Sequence, residues 1–170
     1  MNQPFNTNGG IHEIPLPTAT GRLFLCGKHY IGPNVEEVLA ECDNAIAVCL
    51  VQEHELADRY PTYVEWHQKH AGTRGIWHPI DDLSYPKFDE IFEFVSMLTD
   101  HLNNGQSLVV HCAAGIGRAG TTGTALLMML GMNANDALVH IREHRPMAGP
   151  EAGTQRQFIE DLAVHLGGQI

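Results

Sequence analysis

Hydrophobic positions along this chain alternate between two rhythms. Short apolar runs of strand length stand at 22–27 (RLFLCG), 45–51 (AIAVCLV), 75–80 (GIWHPI) and 107–112 (SLVVHC), set apart by turn formers. Between them the spacing becomes helical. Pro33 and Asn34 open a helix through VEEVLAEC. After Ser84 and Pro86, the residues Phe88, Ile91, Phe92, Val95, Leu98 and Leu102 recur on one helical face, which Asn104 and Gly105 end. TTGTALLMML, 121–130, is apolar nearly all round and so reads as a buried helix. NANDALVHIREH, closed by Pro146, and TQRQFIEDLAVHL form two more. The polar segment Gln52 to Gly72, with Tyr60, Pro61 and Tyr63 at its middle, reads as loop plus a short helix. Strands alternating with helices predict an α/β fold with a central, mostly parallel sheet flanked by helices. Residues 1–20, punctuated by Pro4, Gly9, Gly10, Pro15 and Pro17, read as an irregular leader, and 21–170 as a single domain without internal repeats.

Composition narrows the chemistry. Twenty acidic against ten basic side chains give a formal net charge of -10. That field opposes nucleic-acid backbones and anionic membrane surfaces, so any anion must be held by local geometry. No run approaches the roughly 20 apolar residues of a membrane span. The four cysteines, Cys26, Cys42, Cys49 and Cys112, lack CxxC spacing, and the N-terminus lacks a charged head followed by an apolar run. A reduced, cytoplasmic chain with free thiols is expected. Eleven histidines raise the question of a metal, but neither HExxH nor a clustered Cys/His pattern occurs, so none is expected.

The stretch VVHCAAGIGRAGTTG, 109–123, carries the chemistry. A strand feeding a glycine-bearing loop that opens a helix turns backbone N–H groups inward and adds the helix's positive end, which makes an anion cradle. Ala113, Ala114, Gly115, Ile116 and Gly117 form it. Arg118 can fold back and clamp two oxygens of a tetrahedral anion, as a lysine could not. The same environment favours the thiolate of Cys112, so a nucleophile faces a phosphate-shaped site. A nucleotide-binding reading would want GxxxxGK[ST], and this loop has no lysine. Cys42 and Cys49 read as inert core thiols. His111, one residue before Cys112, would face away from the cradle and orient the loop through a backbone hydrogen bond. Expulsion of an alkoxide or phenoxide needs a proton donor from another loop, and HPIDDLSYP offers Asp81 and Asp82.

HCAAGIGR resembles the HCxxGxxR signature of cysteine-dependent protein tyrosine and dual-specificity phosphatases. RLFLCG, HPIDDLSYP, REHRP and TQRQF follow the order seen in compact members, over roughly Gly21 to Leu166, and CLVQEHELADRY is most like the cyclin-dependent kinase-associated phosphatase group. The resemblance implies a cysteinyl-phosphate route with no cofactor, acting on a phosphorylated protein or a small aryl phosphate; the sequence leaves the oligomeric state open, with a monomer favoured. Asp82, thirty residues before Cys112, stands at the separation of the family's acid and is preferred to Asp81. Gln155 and Gln157 resemble glutamines that position the hydrolytic water. Arg142, Arg145 and Arg156 suit the helix dipole better than a second phosphate pocket. One position departs from the pattern: the residue after the arginine is usually serine or threonine, and here it is Ala119. Slow breakdown of a phosphoenzyme is therefore expected. The neutral side chains of Ala113, Ala114 and Ile116 disfavour highly phosphorylated lipids and inositols. Two rivals stay open: a phosphate-binding pseudophosphatase module, and a thiol enzyme of the arsenate reductase type drawing on Cys26 or Cys49.

Overall fold

The computed structural model describes residues 10–167, and the first nine residues of the expected leader lie outside them. Five strands form one sheet in the order β1-β2-β5-β3-β4: β1 Ile11–Ile14, β2 Leu23–Gly27, β3 Ile46–Cys49, β4 Gly75–Trp77 and β5 Leu108–Cys112. All pairings are parallel except β1 with β2. The helices are α1 Lys28–Ile31, α2 Val35–Glu41, α3 Pro61–His70, α4 Phe88–Asn103, α5 Arg118–Met129, α6 Ala134–His144 and α7 Gly153–His165, with a 3-10 turn at Glu53–Glu55. This is the α/β architecture that the alternation of rhythms predicts.

β5 is central, paired with β2 on one side and β3 on the other, and fully buried, which is why it reads as a continuous apolar run. The helix it feeds, α5, is buried from Arg118 to Met128 and packs against α4, α6 and α7. Gly120 allows that depth, because a Cβ there would stand 2.2 Å from the backbone nitrogen of Gly149. A strand end and a helix start are thereby fixed at the middle of the core.

Three expectations need correction. Ile11–Ile14 is an edge strand rather than irregular leader. Ile11, His12 and Ile14 are all buried, which breaks the two-residue alternation by which a strand is recognised. The segment 52–72 is loop plus helix, as expected, and only the helix's length needs adjusting: it runs ten residues, with Pro61 at its first position and Tyr63, Val64 and Trp66 on its buried face. The strand at 75–80 stops at Trp77, although His78 and Ile80 still donate to the carbonyls of Cys49 and Leu50.

Arg145 corrects a fourth. It is fully buried and not a dipole partner: Nε donates to the Gly115 carbonyl at 2.8 Å, Nη2 to that of Ala114 at 2.9 Å and Nη1 to that of Leu25 at 3.2 Å. Arg145→Met strands the buried Gly115 and Leu25 carbonyls and is expected to lower stability by about 3 kcal/mol, read as a lower urea midpoint at unchanged slope.

Candidate active site

The cradle is built by where the loop's carbonyls go. The Cys112 carbonyl takes the His111 ring, that of Ala113 takes the amide of Lys28, and those of Ala114 and Gly115 take Arg145. The Ile116 carbonyl accepts from Gly120 and Gly149, and that of Gly117 from Thr121. Every carbonyl from 112 to 117 is thus bonded outward. The amides of Ala114 to Gly117 donate to no protein acceptor among the described residues, the arrangement that offers N–H groups to an anion. Gly115 makes the turn possible: its φ is +74°, and a Cβ there would stand 2.4 Å from the Cys26 carbonyl oxygen.

Cys112 ends β5 beneath this loop, and the amide of Ala119, in the first turn of α5, donates to its sulfur at 3.4 Å. Arg118 lies almost wholly buried beside it. Its Nη1 and Nη2 grip the two carboxylate oxygens of Glu55 at 2.8 and 2.9 Å, and Nη1 also donates to the Ile80 carbonyl at 2.8 Å. Its Nε has no partner among the described residues, and only one of the two Nη2 hydrogens is bonded to Glu55, so donors are left for an anion. Burial alone would push the Glu55 carboxyl up, but the bonds from Arg118, the Gln52 amide and the Arg118 charge outweigh it and hold it low. A cavity of about 220 Å³ is lined by Cys112, Ala113, Ala114, Gly117, Arg118 and Asp82.

Asp82 reaches this cavity from the loop after β4, with Oδ1 3.4 Å from Arg118 Nη2 and its side chain 69% exposed. Asp81 turns away and accepts from the Gln52 side chain at 2.5 Å. His111 faces away from the cradle, with Nδ1 3.1 Å from the Cys112 carbonyl and Nε2 2.7 Å from the Tyr63 hydroxyl. Burial pushes its pKa down to about 4. Gln155 is buried at the start of α7, where it accepts from the Glu151 amide and donates to the Ser84 carbonyl, tying α7 to the Asp82 loop. Gln157 must be corrected: it is exposed, pairs with Asp161 and does not line the cavity. Its neighbour Arg156 lines a separate cavity of about 200 Å³ with Arg142.

Sequence reasoning missed Glu55 and Glu151. Glu151 lines the same cavity, with Oε1 2.2 Å from where a Gly117 Cβ would be. Glu55 carries a local signal, because Gln52 and Glu55 form a capping box, but nothing in that box says the carboxylate will meet Arg118.

A family model, the dual specificity phosphatase catalytic domain, matches residues 30–161. Dual specificity protein phosphatase 1 of Arabidopsis thaliana is 40% identical over 76 residues, 44% of this chain and 36% of that protein. Protein phosphatase Slingshot homolog 3 of Rattus norvegicus is 26% identical over 133 residues, 78% of this chain and 19% of that protein. The chain therefore spans well under two thirds of these relatives' length. Among solved structures, Tk-PTP in its active form aligns at 25% identity and a TM-score of 0.68, over 88% of this chain and 95% of that one. Kinase associated phosphatase, with a serine in place of its catalytic site cysteine, aligns over 100% of both chains at 19% identity and a TM-score of 0.74, a likeness of fold. With three quarters of its length inside the family model, this chain belongs to the dual specificity phosphatase catalytic-domain family.

Proposed function

We propose that this chain hydrolyses phosphate monoesters on phosphorylated proteins, at tyrosine and/or serine and threonine, through a cysteinyl-phosphate on Cys112. The observation that carries this reading is the loop whose carbonyls are all bonded while its amides stay unpaired among the described residues, in one cavity with Arg118 and the sulfur to which the Ala119 amide points. Cys112 Sγ attacks phosphorus, the S–P bond forms and the ester P–O bond breaks, with Asp82 giving its proton to the departing oxygen. Water then attacks the phosphocysteine, Asp82 takes the proton, and the S–P bond breaks to return the thiolate and release phosphate. Arg118 and the loop amides stabilise the equatorial oxygens in both steps, and Glu55 fixes the guanidinium in place. Gln155 supports the loop that carries Asp82. The uncharged cradle of Ala113, Ala114 and Ile116 suits an ester with a single phosphate.

The arsenate reductase rival loses support. Cys26 and Cys49 pair in register with His111, not Cys112, and so project from the opposite face. Burial pushes the Cys49 thiol up to about 12 and that of Cys26 higher still. Neither is placed as a resolving thiolate.

Hydrolysis of a small aryl phosphate in excess chelator, followed across pH, tests the proposal. Turnover is expected to persist, and Asp82→Asn to lower it by about 10²–10⁴-fold and to abolish the limb of the profile that reports the acid. Full activity in Asp82→Asn with an unactivated leaving group overturns Asp82's role.

Ala119 keeps the capture module in view, because no hydroxyl follows the arginine. The Thr122 hydroxyl does not substitute: it donates to the Arg118 carbonyl and bonds Tyr85. Phosphoenzyme breakdown is therefore expected to limit turnover. Ala119→Ser, restoring one hydrogen bond to the leaving sulfur, should raise steady-state kcat about tenfold and shrink the pre-steady-state burst. Unchanged turnover with no burst in either protein contradicts this.

A further inference from the structure

His111 and Cys112 are successive strand residues, so their side chains leave opposite faces of the sheet. On the His111 face, three groups far apart in sequence converge. Parallel pairing sets Cys49 beside His111, and α3 brings His67 against both. One donor atom from each of Cys49, His67 and His111 lies within 4.8 Å of the other two, and all three residues are buried.

His67 is the group that a structural role leaves unexplained. It is 2% exposed and ringed by Tyr63, Trp66 and Trp77, yet neither ring nitrogen has a hydrogen-bond partner among the described residues. Buried imidazole nitrogens are ordinarily satisfied, and these two are not. His111 shows the complementary feature. The Cys112 carbonyl can only accept, so His111 Nδ1 carries the hydrogen, and Nε2 presents its lone pair, which now takes the Tyr63 hydroxyl. One nitrogen anchored through its N–H to a backbone carbonyl, the other lone pair free to bind, is how histidines are held when they ligate metals.

We propose that Cys49, His67 and His111 form a binding site for one zinc ion, with the Tyr63 hydroxyl beside the fourth position. A thiolate with two imidazoles is a borderline-soft set that zinc takes in tetrahedral geometry. Bonds of about 2.3 Å to sulfur and about 2.0 Å to nitrogen put such donors roughly 3.5 Å apart, so closure asks for movements of about an ångström. On binding, Cys49 releases its thiol proton to solvent as the S–Zn bond forms, and His111 Nε2 exchanges the Tyr63 hydroxyl for the ion. Entry has a route, because His67 lines a surface cavity of about 330 Å³ with Gly75, Trp77, Met97 and His101. Since His111 holds the Cys112 carbonyl, an ion on its other nitrogen acts on the first residue of the phosphate loop. Zinc is therefore expected to slow hydrolysis without competing with phosphate.

Cobalt(II), a spectroscopic stand-in for zinc, is titrated into the full chain carrying Cys112→Ser, which removes the other candidate sulfur. The expected result is a thiolate-to-cobalt band with tetrahedral visible bands, saturating at one equivalent and displaced by zinc. Cys49→Ala and, separately, His67→Phe should each weaken binding by more than the roughly 10–100-fold that loss of a mere supporting group costs. His67→Phe fills the aromatic cage, and apo unfolding curves confirm that it is folded. In the protein with Cys112 intact, zinc inhibition should be non-competitive with phosphate and absent from His67→Phe. No binding, binding without the thiolate band, binding that survives either substitution, as at the half-exposed pair His140 and His144, or inhibition competitive with phosphate overturns the proposal.

Discussion

Cys112→Ser is expected to lower hydrolysis of a small aryl phosphate by roughly 10⁴–10⁶-fold, the scale on which loss of a nucleophile acts. The reason lies in what the substitution leaves behind. Serine keeps the size of the side chain and disturbs neither the outward carbonyls nor the inward amides of the loop, which are set by Lys28, Arg145, Gly120, Gly149 and Thr121. What disappears is the sulfur to which the Ala119 amide points. A hydroxyl there is a far weaker nucleophile at neutral pH, and Asp82, needed as the acid for the leaving oxygen in that step, cannot also serve as its base. Binding of inorganic phosphate, followed by isothermal titration, should stay within a few-fold of wild type. Turnover surviving in Cys112→Ser would place the nucleophile elsewhere.

Arg118→Lys has the next largest effect, a loss of about 10³–10⁵ in kcat/KM, comparable with removal of an arginine that stabilises a transferring phosphoryl group. One ammonium cannot span both oxygens of Glu55, reach the Ile80 carbonyl and still present a donor to the cradle, all of which Arg118 does at once. The change also removes the paired hydrogen bonds that, with the Gln52 amide, hold the Glu55 carboxyl low. The folded-state pKa of Glu55 lies below the ordinary 4.5, so its pairing stabilises the fold above that value and is lost as pH falls below it. Wild type should therefore resist acid better than Arg118→Met, with the two converging once Glu55 is protonated in both. Acid titration of near-ultraviolet circular dichroism reads this. Identical acid midpoints would mean that the Arg118–Glu55 pair contributes nothing to the fold.

The heart of the site was legible because it is local. Cys112 to Arg118 sit in one strand, loop and helix start, and the residue types needed for the chemistry fall within seven consecutive positions. Asp82 was reachable because its loop offers two carboxylates and the resemblance favours the one thirty residues before Cys112; of the two, Asp82 lines the cavity. The parts that escaped arrive through tertiary packing. Arg145 looks like any basic residue late in a helix until the chain folds and puts three carbonyls around it. Glu55 and Glu151 reach the site from segments far from the signature in sequence, and nothing local says that they meet it. α3 was underestimated because its buried face is aromatic and histidine-rich within a polar stretch, and β1 because all but one of its four residues are buried. Cys49, His67 and His111 share no sequence spacing, only neighbouring strands and one helix above them.

Acid quench of the protein within the first turnover of an aryl phosphate, followed by peptide mapping by mass spectrometry, reaches the centre of this mechanism. A phosphoryl group on the sulfur of Cys112, formed at the rate of aryl alcohol release and accumulating because Ala119 offers no hydroxyl, is the expected result. Rapid release of the alcohol with phosphate on another residue, or on none, contradicts a cysteinyl-phosphate route.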